Sequence, residues 1–399
     1  MKRSFVAVML LALAMPPRPV AAATAAFVDV AEQVGLAQTT QSLGATVADF
    51  NDDGRQDVLL NRQSQAPPTL YLGNAGGTFT RDTIAVFGPF TKLTRDLHLC
   101  STADVNRDGR LDVYCTVGTS NQSTTSKSNF LWIQNPDGTF TNRASTWGVA
   151  DPAGRGRDAL FLEVNGDARP DLFVYNAKRT DGVAAPSRLF VNTGSSFVDA
   201  PSYGLDGTFW SLYFIVPELQ LTTWNGRLAV LAISTAGPQL WVQKGGPGTA
   251  FQRVVPAGWP TFRVQGARLQ DLNRDGMDDL VTVTQSRADV WRRTGTSSLA
   301  KAWSSSTPGA RSVAVADATG DGLPDIYVTT WSQTNSIPNP PDFLFVGTGV
   351  FSFASATIPR ATAGQGASAA VVRYGSSNAF LVANGPSGWK GPIQVIAAA

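Results

Sequence analysis

The chain has 399 residues, of which 43% are hydrophobic and 16% charged, a composition that excludes a disordered or collagen-like polymer and permits a large buried core. Its formal net charge of +2 is not gathered into a basic block, which excludes the electrostatic footprint of a nucleic-acid binder. Length alone would suggest several domains, a prior that fails for repeats, so internal periodicity is read first.

The chain opens with Lys2 and Arg3, followed by an apolar run from Phe5 to Met15 that stops at Pro16-Pro17. Eleven apolar residues cannot cross a bilayer, and Ala21-Ala22-Ala23 offers an A-x-A cleavage site. Residues 1–23 are therefore expected to be a cleaved signal peptide, placing the mature chain, 24–399, outside the cell or in the periplasm. Loss of Lys2, Arg3 and Arg18 leaves 29 basic residues against 30 acidic ones. No later stretch reaches about 18 consecutive apolar residues, so no transmembrane segment is expected.

An acidic pattern then recurs: DFNDDGRQD from Asp49, DVNRDGRLD from Asp104, EVNGDARPD from Glu163, DLNRDGMDD from Asp271 and DATGDGLPD from Asp317. Positions 1, 3, 5 and 9 carry oxygen-bearing side chains, and position 6 is Gly in all copies but the third. A hard cation needs six to eight oxygens, and such a loop can supply them from alternate side chains plus the main-chain carbonyl of position 7. Ca²⁺ is the expected cofactor. The ligand sets are Asp49, Asn51, Asp53, Arg55 and Asp57; Asp104, Asn106, Asp108, Arg110 and Asp112; Glu163, Asn165, Asp167, Arg169 and Asp171; Asp271, Asn273, Asp275, Met277 and Asp279; and Asp317, Thr319, Asp321, Leu323 and Asp325. In each set the fourth residue contributes only its carbonyl. The loops are not EF-hands, because the Glu of position 12 is replaced by Leu60, Cys115, Thr282 and Val328 in the four strong copies.

Strand-like residues follow each loop at once, so the loop closes a β-hairpin. First positions are spaced by 55, 59, 108 and 46 residues, and the long gap holds a degenerate copy from Val216 with Asn225-Gly226 as a two-residue turn. A seventh unit, from Ala369, also keeps two strands and loses the carboxylates. A third strand follows each of the first six hairpins, as at Leu70-Tyr-Leu, Leu131-Trp-Ile and Leu344-Phe-Val. Most are followed by a small-residue turn and an aromatic, as at Phe79 and Phe140. Four short strands per period of about 50 residues predict an all-β, seven-bladed propeller. FVDVAEQVGL from Phe27 has the pattern of a fourth strand, which the last unit lacks, so an N-terminal strand is expected to close the last blade.

Cys100 and Cys115 lie four residues before Asp104 and three after Asp112, on strands joined by the second loop. Cross-strand neighbours in an oxidising compartment are expected to form a disulfide rather than two separately buried thiols.

These loops and hairpins resemble the FG-GAP/VCBS repeats of integrin α-subunit propellers and of exported bacterial propellers. The resemblance implies a ring of blades with Ca²⁺ in the loops between their first two strands. Glu163 and Ala168 depart from it and weaken the third site, and the fourth and seventh units have no ligand set to inherit.

Strand alternation puts the acidic loops on one face of the ring and the longer 2-to-3 loops and blade links on the other. Arg95, Asp96, His98, Arg155, Arg157 and Asp158 fall there, with Trp210 and Trp331 as stacking platforms. These charges either pair across neighbouring blades or form a recognition surface, for which Arg95, His98, Arg157, Asp158 and Trp331 are the candidate ligand-binding residues. Mixed Arg, Asp and aromatic groups suit a glycan or an extracellular protein. No G-x-S-x-G or H-E-x-x-H is present, and His98 is the sole histidine. The expected function is non-enzymatic recognition or adhesion by a monomer. The alternatives are a polysaccharide-active lyase or hydrolase using the same face, and an assembly protein.

Overall fold

The computed structural model describes residues 25–399 other than 63–65, 85–86, 88–95, 119–127, 178, 180–184, 206–218, 235, 333–338, 363–364 and 386–389. The expected signal peptide, Arg95 and Trp210 lie outside the described residues, as does the side chain of Asp96. The structure is a seven-bladed β-propeller, each blade a sheet of antiparallel strands.

Blade 1 is formed by Ser42–Ala48, Asp57–Arg62, Thr69–Gly73 and Phe79–Arg81, and blade 2 by Asp96–Ala103, Asp112–Gly118, Phe130–Gln134 and Phe140–Asn142. Blade 3 comprises Gly156–Leu162, Asp171–Asn176, Arg188–Asn192 and Phe197–Asp199; blade 4 comprises Gln220–Trp224, Arg227–Ser234, Gly237–Gln243 and Phe251–Val254. Blade 5 runs through Gly266–Gln270, Asp279–Val283, Arg287–Gly295 and Ser298–Ser306, and blade 6 through Ala310–Ala316, Asp325–Thr330, Phe343–Gly349 and Ser352–Ala356. Blade 7 holds Gly366–Tyr374, Ser377–Asn384 and Gly391–Ala398, with Phe27–Asp29 as its fourth strand. A 3₁₀ turn at Pro201–Tyr203 is the one helical element among the described residues. None of their helices is long and apolar enough to cross a membrane.

The second strand of each blade is apolar on both sides, as in DVYCTVG and DLFVYN, because each blade packs against two neighbours. The apolar core is accordingly divided among the blade interfaces. Leu59, Leu70, Val113 and Trp132 fill the junction of blades 1 and 2, Tyr114, Leu131, Leu172 and Phe190 that of blades 2 and 3, and Tyr327, Leu344, Phe380 and Ile396 that of blades 6 and 7.

The N-terminal strand closes the ring in the expected manner. Phe27 pairs with Ala398 and Asp29 with Ile396, and Thr39–Thr40 adds a short pairing to Gly391 and Pro392. Asp29 Oδ1 accepts the amides of Ala31 (3.2 Å) and Val395 (3.1 Å). Cys100 and Cys115 face each other in register, with Cα atoms 4.1 Å apart, and are joined by a disulfide.

Candidate functional site

Each acidic loop folds sharply because positions 4 and 6 both take left-handed backbone: Asp52 and Gly54, Arg107 and Gly109, Gly166 and Ala168, Arg274 and Gly276, Gly320 and Gly322. Ala168, at φ 59°, holds without help a conformation that favours glycine. The turn brings positions 1, 3 and 5 together. In the first loop Asp49 accepts the amides of Asp53 (3.1 Å) and Gly54 (2.7 Å), and Asn51 Nδ2 donates to Asp53 Oδ2 (2.8 Å). The loops from Asp104 and Asp271 repeat this arrangement with the same partners. Glu163, one methylene longer, instead takes the amides of Asn165 and Gly166.

Position 9 has a second role that the sequence pattern did not disclose. Asp57, Asp112, Asp171, Asp279 and Asp325 are fully buried. One oxygen of each accepts the amide of loop position 2, at Phe50, Val105, Val164, Leu272 and Ala318, over 2.7–3.1 Å. The other accepts an amide late in the third strand, at Gly73, Gln134, Asn192, Arg293 and Gly347, over 2.7–2.9 Å. Each carboxylate thus pegs the loop to the sheet. Burial pushes these carboxyls up, Asp112 to about 7 and Asp171, Asp279 and Asp325 to about 6, against the lowering effect of the amides.

Position 7 divides the loops by charge. The side chains of Arg55, Arg110 and Arg169 turn back onto Asp53, Asp108 and Asp167, whereas Met277 and Leu323 offer no such charge and Asp275 and Asp321 have no ion pair among the described residues. Among the described residues no cluster of three or more His, Cys, Asp or Glu side chains is gathered as for a metal. The donors at hand are Asn or Thr and main-chain oxygens besides the carboxylates, an all-oxygen set that fits a hard cation.

On the opposite face, the first strand carries an irregularity of register near its start in blades 1, 2, 3, 6 and 7. Such bulges re-aim side chains; His98, Arg157 and Arg311 sit at three of them. His98, Arg155, Arg157 and Asp158 are all buried, at 3–9% exposure. Arg157 Nη1 lies 3.4 Å from His98 Nε2 of blade 2, and Asp158 Oδ2 accepts the Leu219 amide, which leads into blade 4, at 2.7 Å. Asp158 also lines a cavity of about 390 Å³ along the ring axis, with Thr46, Ser101 and Arg268.

Trp331 is half-buried, directly after the second strand of blade 6, and the Arg311 guanidinium lies 4.6 Å from its ring centroid. The two residues line a cavity of about 290 Å³ between blades 5 and 6, with Gln265, Gln285, Gly309, Ala310, Ser332 and Pro340. Gln265, Arg268 and Arg311 were not singled out by sequence. The signal available was the shared Gln-Gly-Ala at 265–267 and 365–367, which marks the start of the first strand in blades 5 and 7.

The FG-GAP-like repeat family matches residues 49–115, 104–174 and 271–328, so the chain carries FG-GAP-like repeats in three places. No curated protein matches the sequence. Among solved structures, the chain is similar to an Agrocybe aegerita lectin described as recognising non-reducing terminal N-acetylglucosamine, with 17% identity over 80% of each chain and a TM-score of 0.49. It is also similar to BBS1N in complex with ARL6DN, with 12% identity over 91% of this chain and 93% of that one (TM-score 0.48). A Dos1 propeller matches at 10% identity over 90% of this chain and 82% of that one (TM-score 0.46).

Proposed function

We propose that this propeller of FG-GAP-like repeats is an exported, calcium-stabilised recognition module that binds glycan or protein through the face opposite its acidic loops, without catalysis. The observation that carries this reading is the division of the ring. Oxygen-rich turns occupy one face, and a cavity walled by indole, guanidinium and amide groups opens at the other. No carboxylate or imidazole lines that cavity among the described residues, so its chemistry suits holding a ligand more than moving a proton. The Cys100–Cys115 disulfide suits an oxidising compartment.

Calcium would be held by positions 1, 3 and 5 and the carbonyl of position 7, with position 9 tying the loop to the sheet. Bound there, the ion supplies charge neutralisation for carboxylates that otherwise repel within one loop. Asp275 and Asp321, which have no ion pair among the described residues, gain most from it.

The test pairs thermal melting of EDTA-treated protein, with and without Ca²⁺, with an arrayed glycan and protein screen. Ca²⁺ at 100 times its Kd should stabilise each occupied site by about 2.7 kcal/mol. A melting temperature indifferent to Ca²⁺ sinks the calcium reading, and an array without a single hit sinks the recognition reading. A depolymerisation assay on any hit separates binding from catalysis.

A further inference from the structure

We infer that a cavity between blades 7 and 1, on the face of the acidic loops, is a docking site for an aspartate side chain of an acidic peptide. It is a second site, on the other face of the ring from the cavity of blades 5 and 6, and does not depend on it.

The cavity exists because blade 7 has lost its acidic loop. Tyr374 pairs directly with Ser377 across the two-residue turn Gly375-Ser376, where blade 1 carries the loop of residues 49–57. The shorter turn leaves a space of about 490 Å³, walled by that loop and by the turn of residues 74–78 in blade 1. Much of the wall is bare backbone: a Cβ at Gly54, Gly76, Gly77 or Gly375 would meet nothing within 4 Å. Glycine at such places lets a ligand come close to the main chain.

Blade 2 shows what this kind of turn holds. Its turn of residues 135–139 and the blade 1 turn fold alike. In both, the Asn amide is bonded to the Thr carbonyl, the Gly amide to the Asn carbonyl, and the Asn side chain donates to the Thr hydroxyl. In blade 2 the middle residue is Asp137, whose Oδ1 accepts the amide (3.0 Å) and the hydroxyl (2.6 Å) of Thr139. The Thr139 hydroxyl and then its amide hold the Asp137 carboxyl below the usual carboxylate range, so these donors favour the charged form. Blade 1 has Gly76 in that place. The Thr78 amide and hydroxyl then find no acceptor among the described residues, and the space that a carboxylate would fill is open to the cavity.

Charge completes the match. Arg55 and Arg373 line the cavity, and no acidic side chain does. Arg55 is ion-paired with Asp53, whereas Arg373 is exposed and its side chain has no partner among the described residues. A guanidinium sharing a cavity with two such donors selects a carboxylate over a neutral amide. The one aromatic residue of the lining, Phe79, is buried, so the wall offers no flat face on which a sugar ring would stack. A peptide is therefore the occupant that fits, and the Asp137 side chain is its template.

The test titrates the full chain in EDTA with capped Gly-Ala-Asp-Ala-Gly, its Asn counterpart and an oligogalacturonide, read by calorimetry and by NMR shifts of the Gly76 and Thr78 amides. EDTA removes any cation through which a carboxylate could be bridged to the acidic loops. The Asp peptide should bind, and the Asn peptide should bind roughly tenfold to a hundredfold more weakly. Gly76→Asp supplies the carboxylate from the chain itself, as blade 2 does, and should abolish binding, whereas Gly76→Ala should leave it unchanged. Gly76 is outside the left-handed region and its surroundings are open, so both variants should melt like the parent. Arg373→Met, at an exposed position, should weaken the Asp peptide about tenfold without lowering the melting temperature. If Gly76→Asp lowers melting, Arg373→Met decides the case.

Equal binding of the two peptides, parent-like binding by Gly76→Asp, or unchanged affinity in Arg373→Met would each overturn the inference. So would binding that appears only when Ca²⁺ is restored, binding of the oligogalacturonide alone, or no binding at all.

Discussion

Asp342 offers the sharpest test of the buried polar groups. It enters the third strand of blade 6, where Oδ1 accepts the amide (2.7 Å) and hydroxyl (3.1 Å) of Thr330 and Oδ2 accepts the Tyr327 hydroxyl (2.9 Å). Burial nevertheless pushes its carboxyl up to about 7. The unfolded chain ionises this group near 3.9, so between about pH 4 and pH 7 the folded state holds a proton that the unfolded state has lost. Stability contributed by Asp342 is therefore complete below pH 4 and falls as pH rises towards 7. Three pKa units correspond to at most about 4 kcal/mol. For a chain of this size that is roughly 5 °C in Tm. Blade 2 already contains the neutral solution: Asn129 Oδ1 accepts the Val117 amide and Nδ2 donates to the Tyr114 hydroxyl. Asp342→Asn should accordingly leave Tm nearly unchanged at pH 4 and raise it by a few degrees at pH 8. Melting both proteins across this range and taking the difference cancels every other titrating group. A variant less stable than the parent at pH 8, or a difference independent of pH, would show that the carboxyl is ionised in the fold and refute the reasoning.

Ala168→Gly should relieve the left-handed strain of the third acidic loop and stabilise the protein by about 0.5–1 kcal/mol, measured by chemical denaturation, whereas the same change at a right-handed position would destabilise. Replacing Cys100 and Cys115 together by Ala should cost about 3 kcal/mol on the chain-entropy account of a 15-residue separation. Non-reduced peptide mapping of the parent, purified from an oxidising compartment, showing two free thiols would remove the basis of that figure. Asp29→Ala orphans the Val395 amide and should cost about 1–3 kcal/mol, with amide exchange accelerating first in the pairing of Phe27–Asp29 to Ile396–Ala398.

The fold was legible because its evidence is local and repeated. A nine-residue acidic loop between two apolar runs is a hairpin wherever it occurs, and the count of hairpins gives the count of blades. Even the degenerate turn at Asn225-Gly226 kept the left-handed pair of angles expected of it, with φ of 52° and 71°. Ring closure was legible as a strand missing from one end and spare at the other. What escaped was anything made by two blades at once. Arg311 looks like an ordinary strand residue, and Gln265 like a polar residue before a strand. Arg311 and Trp331 meet through the hairpin of blade 6, and only the packing of blade 5 on blade 6 brings Gln265 to the same cavity. The same holds for His98, Arg157 and Asp158, assigned from sequence to blade links but found buried on or beside the bulged starts of first strands, in contact across blades 2, 3 and 4. The peg formed by position 9 escaped because its partners lie 14–22 residues downstream in the third strand.

Blade 7 is stitched from both ends of the described chain, and its last pairing joins Phe27 to Ala398, with the Ala399 amide bonded to the Ala26 carbonyl at 2.8 Å. The two strands run antiparallel, so both ends leave the sheet from the same side. A tensile load applied between them would not shear this pairing, which would distribute the force over all its hydrogen bonds together. It would open the strands like a zip, one bond at a time, beginning at Ala26 and Ala399. A propeller tethered by a single end keeps its full mechanical strength, whereas one strung between two anchors would yield at this seam before any acidic loop felt the force.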